Sequence, residues 1–153
     1  MPATAASALT DTDAVADLAL AADLRVTLAR TTRRLRAERG DAGLSDPQFN
    51  VLAILLREGP TTPGRLAELE RIAAPAMTRT VGCLADQGLV RKDEHPTDGR
   101  QVVVSLTVEG EAEVQETRRR RDAWLSARLA SLDAEERSTL VRAAEILRRI
   151  AAS

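Results

Sequence analysis

Residues 62–88 read TPGRLAELERIAAPAMTRTVGCLADQG, two short helical patterns a few residues apart. In the first, Thr62 is a cap, Pro63 fits the opening turn, and Leu66 and Leu69 give the segment one inward side up to about Glu70. In the second, Pro75 fits the first turn, Met77, Val81 and Leu84 fall at i, i+4 and i+7, and Gly88 stops the helix. Two short helices joined so tightly predict a helix-turn-helix. On the second helix Arg79 falls nearly opposite the apolar stripe, with Pro75, Gly82, Cys83 and Asp86 on the same outward half.

Outward from this pair the periodicity changes. Residues 89–92, and then Val102, Val104 and Leu106 alternating with Gln101, Val103 and Ser105, predict two strands of a hairpin with His95-Pro96-Thr97-Asp98-Gly99-Arg100 at its tip. Upstream, Ser45 and Gln48 form a capping box, Leu44 and Phe49 a staple, and Phe49, Leu52, Ala53 and Leu56 one face of a helix ended by Gly59-Pro60. Leu20, Leu24, Leu28 and Leu35 predict a long first helix over 13–39, stopped by Gly40, with residues 1–12 as a flexible tail. Downstream, Thr107 caps a long helix through Val114, Trp124, Leu125 and Leu129. A second box at Asp133 and Glu136 opens a last helix through Leu140, Ala144, Leu147 and Ile150. The prediction is a mainly α protein of six helices and a β-hairpin wing, a single domain over 13–153. Within it a lobe spans about 45–107, flanked by long helices over 13–39 and 108–151.

Composition removes several classes. The chain has 153 residues, 44% hydrophobic and 29% charged, with formal net charge -1, as expected of one soluble domain. No apolar run suits a membrane, no secretory signal opens the chain, and Cys83 alone cannot form an internal disulfide, so a reducing cytoplasm is expected. Phe49 and Trp124 are the only aromatic residues, which removes the stacking platforms of single-strand and RNA binders.

An arginine projecting from the second helix of a helix-turn-helix can reach guanine O6 and N7 in the major groove, and the small Ala76, Thr78 and Gly82 let the helix approach the bases. Arg100 on the hairpin suits a narrow minor groove, with Asp98 two residues earlier able to hold its guanidinium and Gly99 permitting the turn. Between Arg57 and Arg100 basic and acidic residues balance one for one, so a DNA lobe must segregate its charges in space. His95, beside Asp93, Glu94 and Asp98, has no buried pocket for metal or acid–base work, and no cofactor motif occurs. Cys83 is read as an inert small residue. The arginines at 118–121 read as a solvated face, with a dimer ion-pair network as the alternative.

The run Leu66-Ala67, Met77-Thr78-Arg79, Leu84, Gly88-Leu89-Val90-Arg91, Asp98-Gly99-Arg100 and Val104-Ser105-Leu106-Thr107-Val108-Glu109-Gly110, flanked by long helices, resembles the MarR family of winged helix-turn-helix transcription regulators. The resemblance covers nearly the whole chain. It implies a homodimer with intertwined terminal helices, a recognition helix at 75–87 and a wing at 91–103. It also implies repression through double-stranded operator DNA, relieved by a small, often aromatic or phenolic effector. Gly99 stands where many relatives carry a basic residue. Thr62, Pro75, Ala76, Thr78, Arg79, Gly82, Asp98, Gly99 and Arg100 are the expected DNA-binding residues. The apolar content of 14–35 and 125–150 exceeds what one lobe can bury, so Leu18, Leu125, Leu129, Leu140, Leu147 and Ile150 are expected at the dimer interface. The rival expectations are a helical protein-interaction module or antirepressor without strong DNA affinity, and a small enzyme using the acidic wing.

Overall fold

The computed structural model describes residues 4–94, 98 and 101–152. Six helices and one hairpin follow in the order α1 Thr4–Arg36, α2 Asp46–Glu58, α3 Pro63–Glu70, α4 Ala74–Asp86, β1 Val90–Glu94, β2 Val102–Leu106, α5 Val108–Leu129 and α6 Ala134–Ala152. The chain divides into two compact units, Met1–Ala37 and Glu38–Ser153. No helix among the described residues is long and apolar enough to cross a membrane.

The first unit carries α1. This helix begins at Thr4, not at Asp13, so much of the segment expected as a tail is helical; Ala5, Ala6 and Ala8 are strong helix formers and no breaker intervenes. Arg33, Arg34 and Arg36 in its last turn complement the helix dipole.

The second unit is built around α2. Gln48 Oε1 accepts from both the Ser45 N–H (2.9 Å) and the Ser45 hydroxyl (2.8 Å), fixing the helix start. Val51, Leu52, Ile54 and Leu55 then go inward and meet Leu66 of α3, Met77, Val81 and Leu84 of α4, Val104 of β2 and Val114 of α5. The hairpin is antiparallel with Val90 opposite Leu106 and Glu94 opposite Val102, so its first strand runs two residues beyond the expected 89–92. Thr61 adds a single bridge to it, donating to Val104 O at 3.1 Å and accepting from Val104 N at 2.8 Å.

Two polar residues on the inner side of α5 hold the segment after Glu38. Thr117 is buried and its hydroxyl accepts from Gly40 N at 2.9 Å, while Glu113, also buried, accepts from Ala42 N at 3.2 Å. The arginine run is split: Arg118 and Arg119 are exposed, as a solvated face requires, whereas Arg120 and Arg121 are half-buried. Arg120 donates to Arg39 O at 3.1 Å and pairs with Asp41, and Arg121 donates to Glu38 O at 3.2 Å while its guanidinium lies 4.3 Å from the Phe49 ring centre. Hydrogen bonds from Arg119 and then Arg120 hold the Glu116 carboxyl down to about 2, against an ordinary 4.5. What this ion cluster contributes to stability is therefore complete above about pH 4.5 and is lost as the pH falls towards 2.

Candidate nucleic-acid interface

The helix-turn-helix is α3, a tight turn and α4. Thr62 Oγ1 accepts from Arg65 N at 3.2 Å, so this hydroxyl is used as the α3 cap, half-buried at the edge of the candidate surface. The turn depends on Arg71, whose φ of 54° and ψ of 42° are left-handed; its N–H donates to Glu68 O at 3.2 Å and the Ile72 N–H to Ala67 O at 3.0 Å. The chain thus reverses into α4 without a glycine.

On α4, Met77, Val81 and Leu84 are buried and set the rotation of the helix. Pro75, Ala76, Thr78 and Arg79 are exposed as expected, and a Cβ built on Gly82 would meet nothing within 4 Å. Cys83 is exposed and unpaired with any other cysteine. The Arg79 side chain has no hydrogen bond or ion pair with any described residue. Its cationic neighbours in the lobe are largely neutralised locally: Arg57 pairs with Glu58 at 2.8 Å, Arg65 with Glu68 at 2.9 Å and Arg91 with Asp93 at 3.0 Å. The one-for-one balance seen in the sequence is thus partly consumed in short-range pairs, and Arg71, Arg79 and Lys92 stand outside them.

At the hairpin tip Asp98 accepts from Gln101 twice, its carboxylate from Nε2 and its backbone oxygen from the N–H, both at 2.9 Å. Gln101 is a partner that spacing alone did not reveal. Gly99, Arg100 and His95 lie outside the described residues, and so does the expected pairing of Asp98 with Arg100. Of the expected interface residues, Leu18, Leu125, Leu140 and Ile150 are exposed, and Leu129 and Leu147 half-buried. A cleft of 800 Å³ is lined by Asp41, Glu109, Ala112, Glu113, Gln115, Glu116 and Arg119, four carboxylates against one guanidinium, a lining that disfavours an anionic compound. No group of acidic, cysteine or histidine side chains suited to a metal ion occurs among the described residues.

Comparison with known proteins follows the same lines. The MarR family model matches residues 44–102, from the start of the apolar core to the second strand. An HTH-type transcriptional regulator from Mycobacterium tuberculosis is 43% identical over 86% of this chain and 92% of its own. The crystal structure of a proposed transcriptional regulator from Pseudomonas aeruginosa is 34% identical, covers 88% of this chain and 95% of its own, and superposes with a TM-score of 0.78. A MarR family protein from Bacillus stearothermophilus, 27% identical, covers 93% of this chain and 98% of its own with a TM-score of 0.73.

Proposed function

The chain belongs to the MarR family, and from that premise we propose that it is a homodimeric cytoplasmic repressor that binds double-stranded operator DNA through α4 and the hairpin. The observation that carries this reading is Arg79, unpaired among the described residues and exposed on a helix whose neighbouring outward side chains are small. A guanidinium so presented can take guanine O6 and N7 together. Relatives of this chain are named as transcriptional regulators, not as enzymes, and the interaction-module reading has no observation in its favour.

Fluorescence polarisation on duplex from the protein's own upstream region, repeated across salt concentrations, tests the reading. Binding should weaken steeply with salt as phosphate contacts are lost. Arg79→Ala should cost about 1 to 3 kcal/mol on the operator and less on random duplex. Equal losses on both would make Arg79 a phosphate contact, and no salt-dependent binding by the unaltered protein would leave the interaction-module reading in its place. Relief by an effector belongs to the same proposal; phenol itself, uncharged at neutral pH, added to the preformed complex should lower the polarisation.

The hairpin supplies a second arm of the reading, in which Arg100 enters the minor groove and Asp98 restricts it beforehand. An unrestrained arginine loses about 2 kcal/mol of rotamer entropy on docking, so orientation can outweigh the repulsion between Asp98 and phosphate. Asp98→Ala should then weaken binding, and do little once Arg100 is alanine. A double-mutant cycle at fixed salt measures the coupling. Tighter binding by Asp98→Ala, or additive effects, would remove the orienting role.

A further inference from the structure

The reading of α4 as the helix that enters the major groove leaves open what it recognises there besides a guanine, and the hydrogen bonds within α4 bear on this. Thr78 Oγ1 donates to Ala74 O at 3.0 Å, and Thr80 Oγ1 donates to Ala76 O at 3.1 Å. A hydroxyl has one proton, so both threonines have spent their donor on the helix itself. That bond also holds χ1, and with it the Thr78 methyl, in one rotamer on an exposed part of the helix.

Beside Thr78, one turn back on the same side of α4, lies the exposed Pro75 ring, and the Ala76 methyl lies on the other flank of Arg79; neither has a side-chain polar atom. Gly82, one turn on from Thr78, has open space beside it. The strong side-chain donor of this part of the helix is therefore Arg79 alone. A surface of one guanidinium bordered by methyl groups matches two features of the major groove, the paired acceptors of guanine and the 5-methyl group of thymine. We propose that Thr78 recognises a thymine by its 5-methyl group beside the guanine recognised by Arg79. This rests on the DNA-binding reading given above.

Full-length protein and duplex from its own upstream region suffice for the test, with the duplex synthesised once with thymine and once with uracil in every thymine position. Uracil keeps the hydrogen-bonding edge and deletes only the methyl. The unaltered protein should bind the uracil duplex about fourfold more weakly for each half-site, the value of one buried methyl-sized group. Thr78→Val keeps the methyl and removes the hydroxyl; it should bind the thymine duplex within about twofold of the unaltered protein and retain the uracil penalty. Thr78→Ser keeps the hydroxyl and removes the methyl; it should lose about fourfold per half-site on thymine and lose most of the uracil penalty. Equal affinity of the unaltered protein for the two duplexes overturns the proposal while the DNA-binding reading stands. So does the reverse pattern, with Thr78→Ser neutral and Thr78→Val impaired, which would mean that the hydroxyl accepts from an adenine or cytosine amino group. Absence of salt-dependent binding to either duplex overturns the DNA-binding reading and this proposal with it.

Discussion

Gly110→Ala should destabilise the protein by about 3 kcal/mol, the upper part of the range for forcing one carbon into a filled site. A Cβ at this position would fall on the Leu89 backbone oxygen, with Leu106 Cδ1 at 2.9 Å and the Leu89 carbonyl carbon at 3.0 Å. A side chain could move aside, but this backbone cannot do so at low cost. The Leu89 oxygen accepts from Thr107 N at 3.2 Å, its N–H donates to Leu84 O at 2.9 Å, and the adjoining Gly88 oxygen accepts from the Thr107 hydroxyl at 2.8 Å. These bonds tie the end of α4, the entry to β1 and the first turn of α5 together, so any shift of Leu89 breaks bonds in three elements. Gly82→Ala is the matched control, since that glycine is helical with nothing near its missing Cβ, and it should raise stability by about 0.5 to 1 kcal/mol. Urea unfolding followed by circular dichroism, at one fixed protein concentration, measures both. An unchanged midpoint for Gly110→Ala would show that α5 can slide away from Leu89, and the close approach would then be no constraint on the fold.

Where one residue type has one dominant physical use, the elements were legible in the sequence. Ser45 with Gln48, and Asp133 with Glu136, marked helix starts because a short acceptor and a longer one can bond the exposed N–H groups; in the second box Asp133 N donates to Glu136 at 3.0 Å and Glu136 N to Asp133 at 2.8 Å. The stripe of Met77, Val81 and Leu84 fixed which side of α4 is buried, and hence that Arg79 faces outward. What escaped were features with no period and no preferred residue. Arg71 takes a left-handed turn that composition would assign to glycine, held there by the packing of α3 on α4. Thr61 forms a single bridge, too short to alternate. Glu113 and Thr117 look like solvent-facing residues of a polar helix, yet they are buried because the chain at Gly40 to Ala42 brings N–H groups that need acceptors. Arg120 and Arg121 misled for a related reason. Their charges read as solvated like those of Arg118 and Arg119, whereas the carbonyls of Glu38 and Arg39 and the Phe49 ring lie against them, and no local pattern reports partners some 70 to 80 residues away in the chain.

Leu147→Asp should abolish dimerisation at micromolar concentration and reduce operator affinity with it, while leaving the fold of each subunit intact. The argument starts from α6, nineteen residues with none buried. Leu140 is 46% exposed, Val141 60%, Ile146 47% and Ile150 59%, an apolar content far above what a helix keeps in water when nothing covers it. Leu140 and Leu147 lie two turns apart on one side, so they form a seam on which a second α6 can pack. In α1, described by itself, Val15 and Leu18 are exposed in the same manner. Under two-fold symmetry each substitution is introduced twice, so two leucines worth about 2 kcal/mol each are lost and two carboxylates are forced into the seam, more than a thousandfold in the dimer dissociation constant. Operator affinity should fall in parallel because a monomer holds one half-site without the second reinforcing it. Because Leu147 packs against no part of the buried core, helicity by circular dichroism should stay near that of the unaltered protein, which separates loss of assembly from loss of folding. Sedimentation velocity and polarisation on the same samples decide the matter. A variant that stays dimeric would move the interface off this seam, and an unaltered protein that is monomeric yet binds its operator tightly would remove the dimer from the reading altogether.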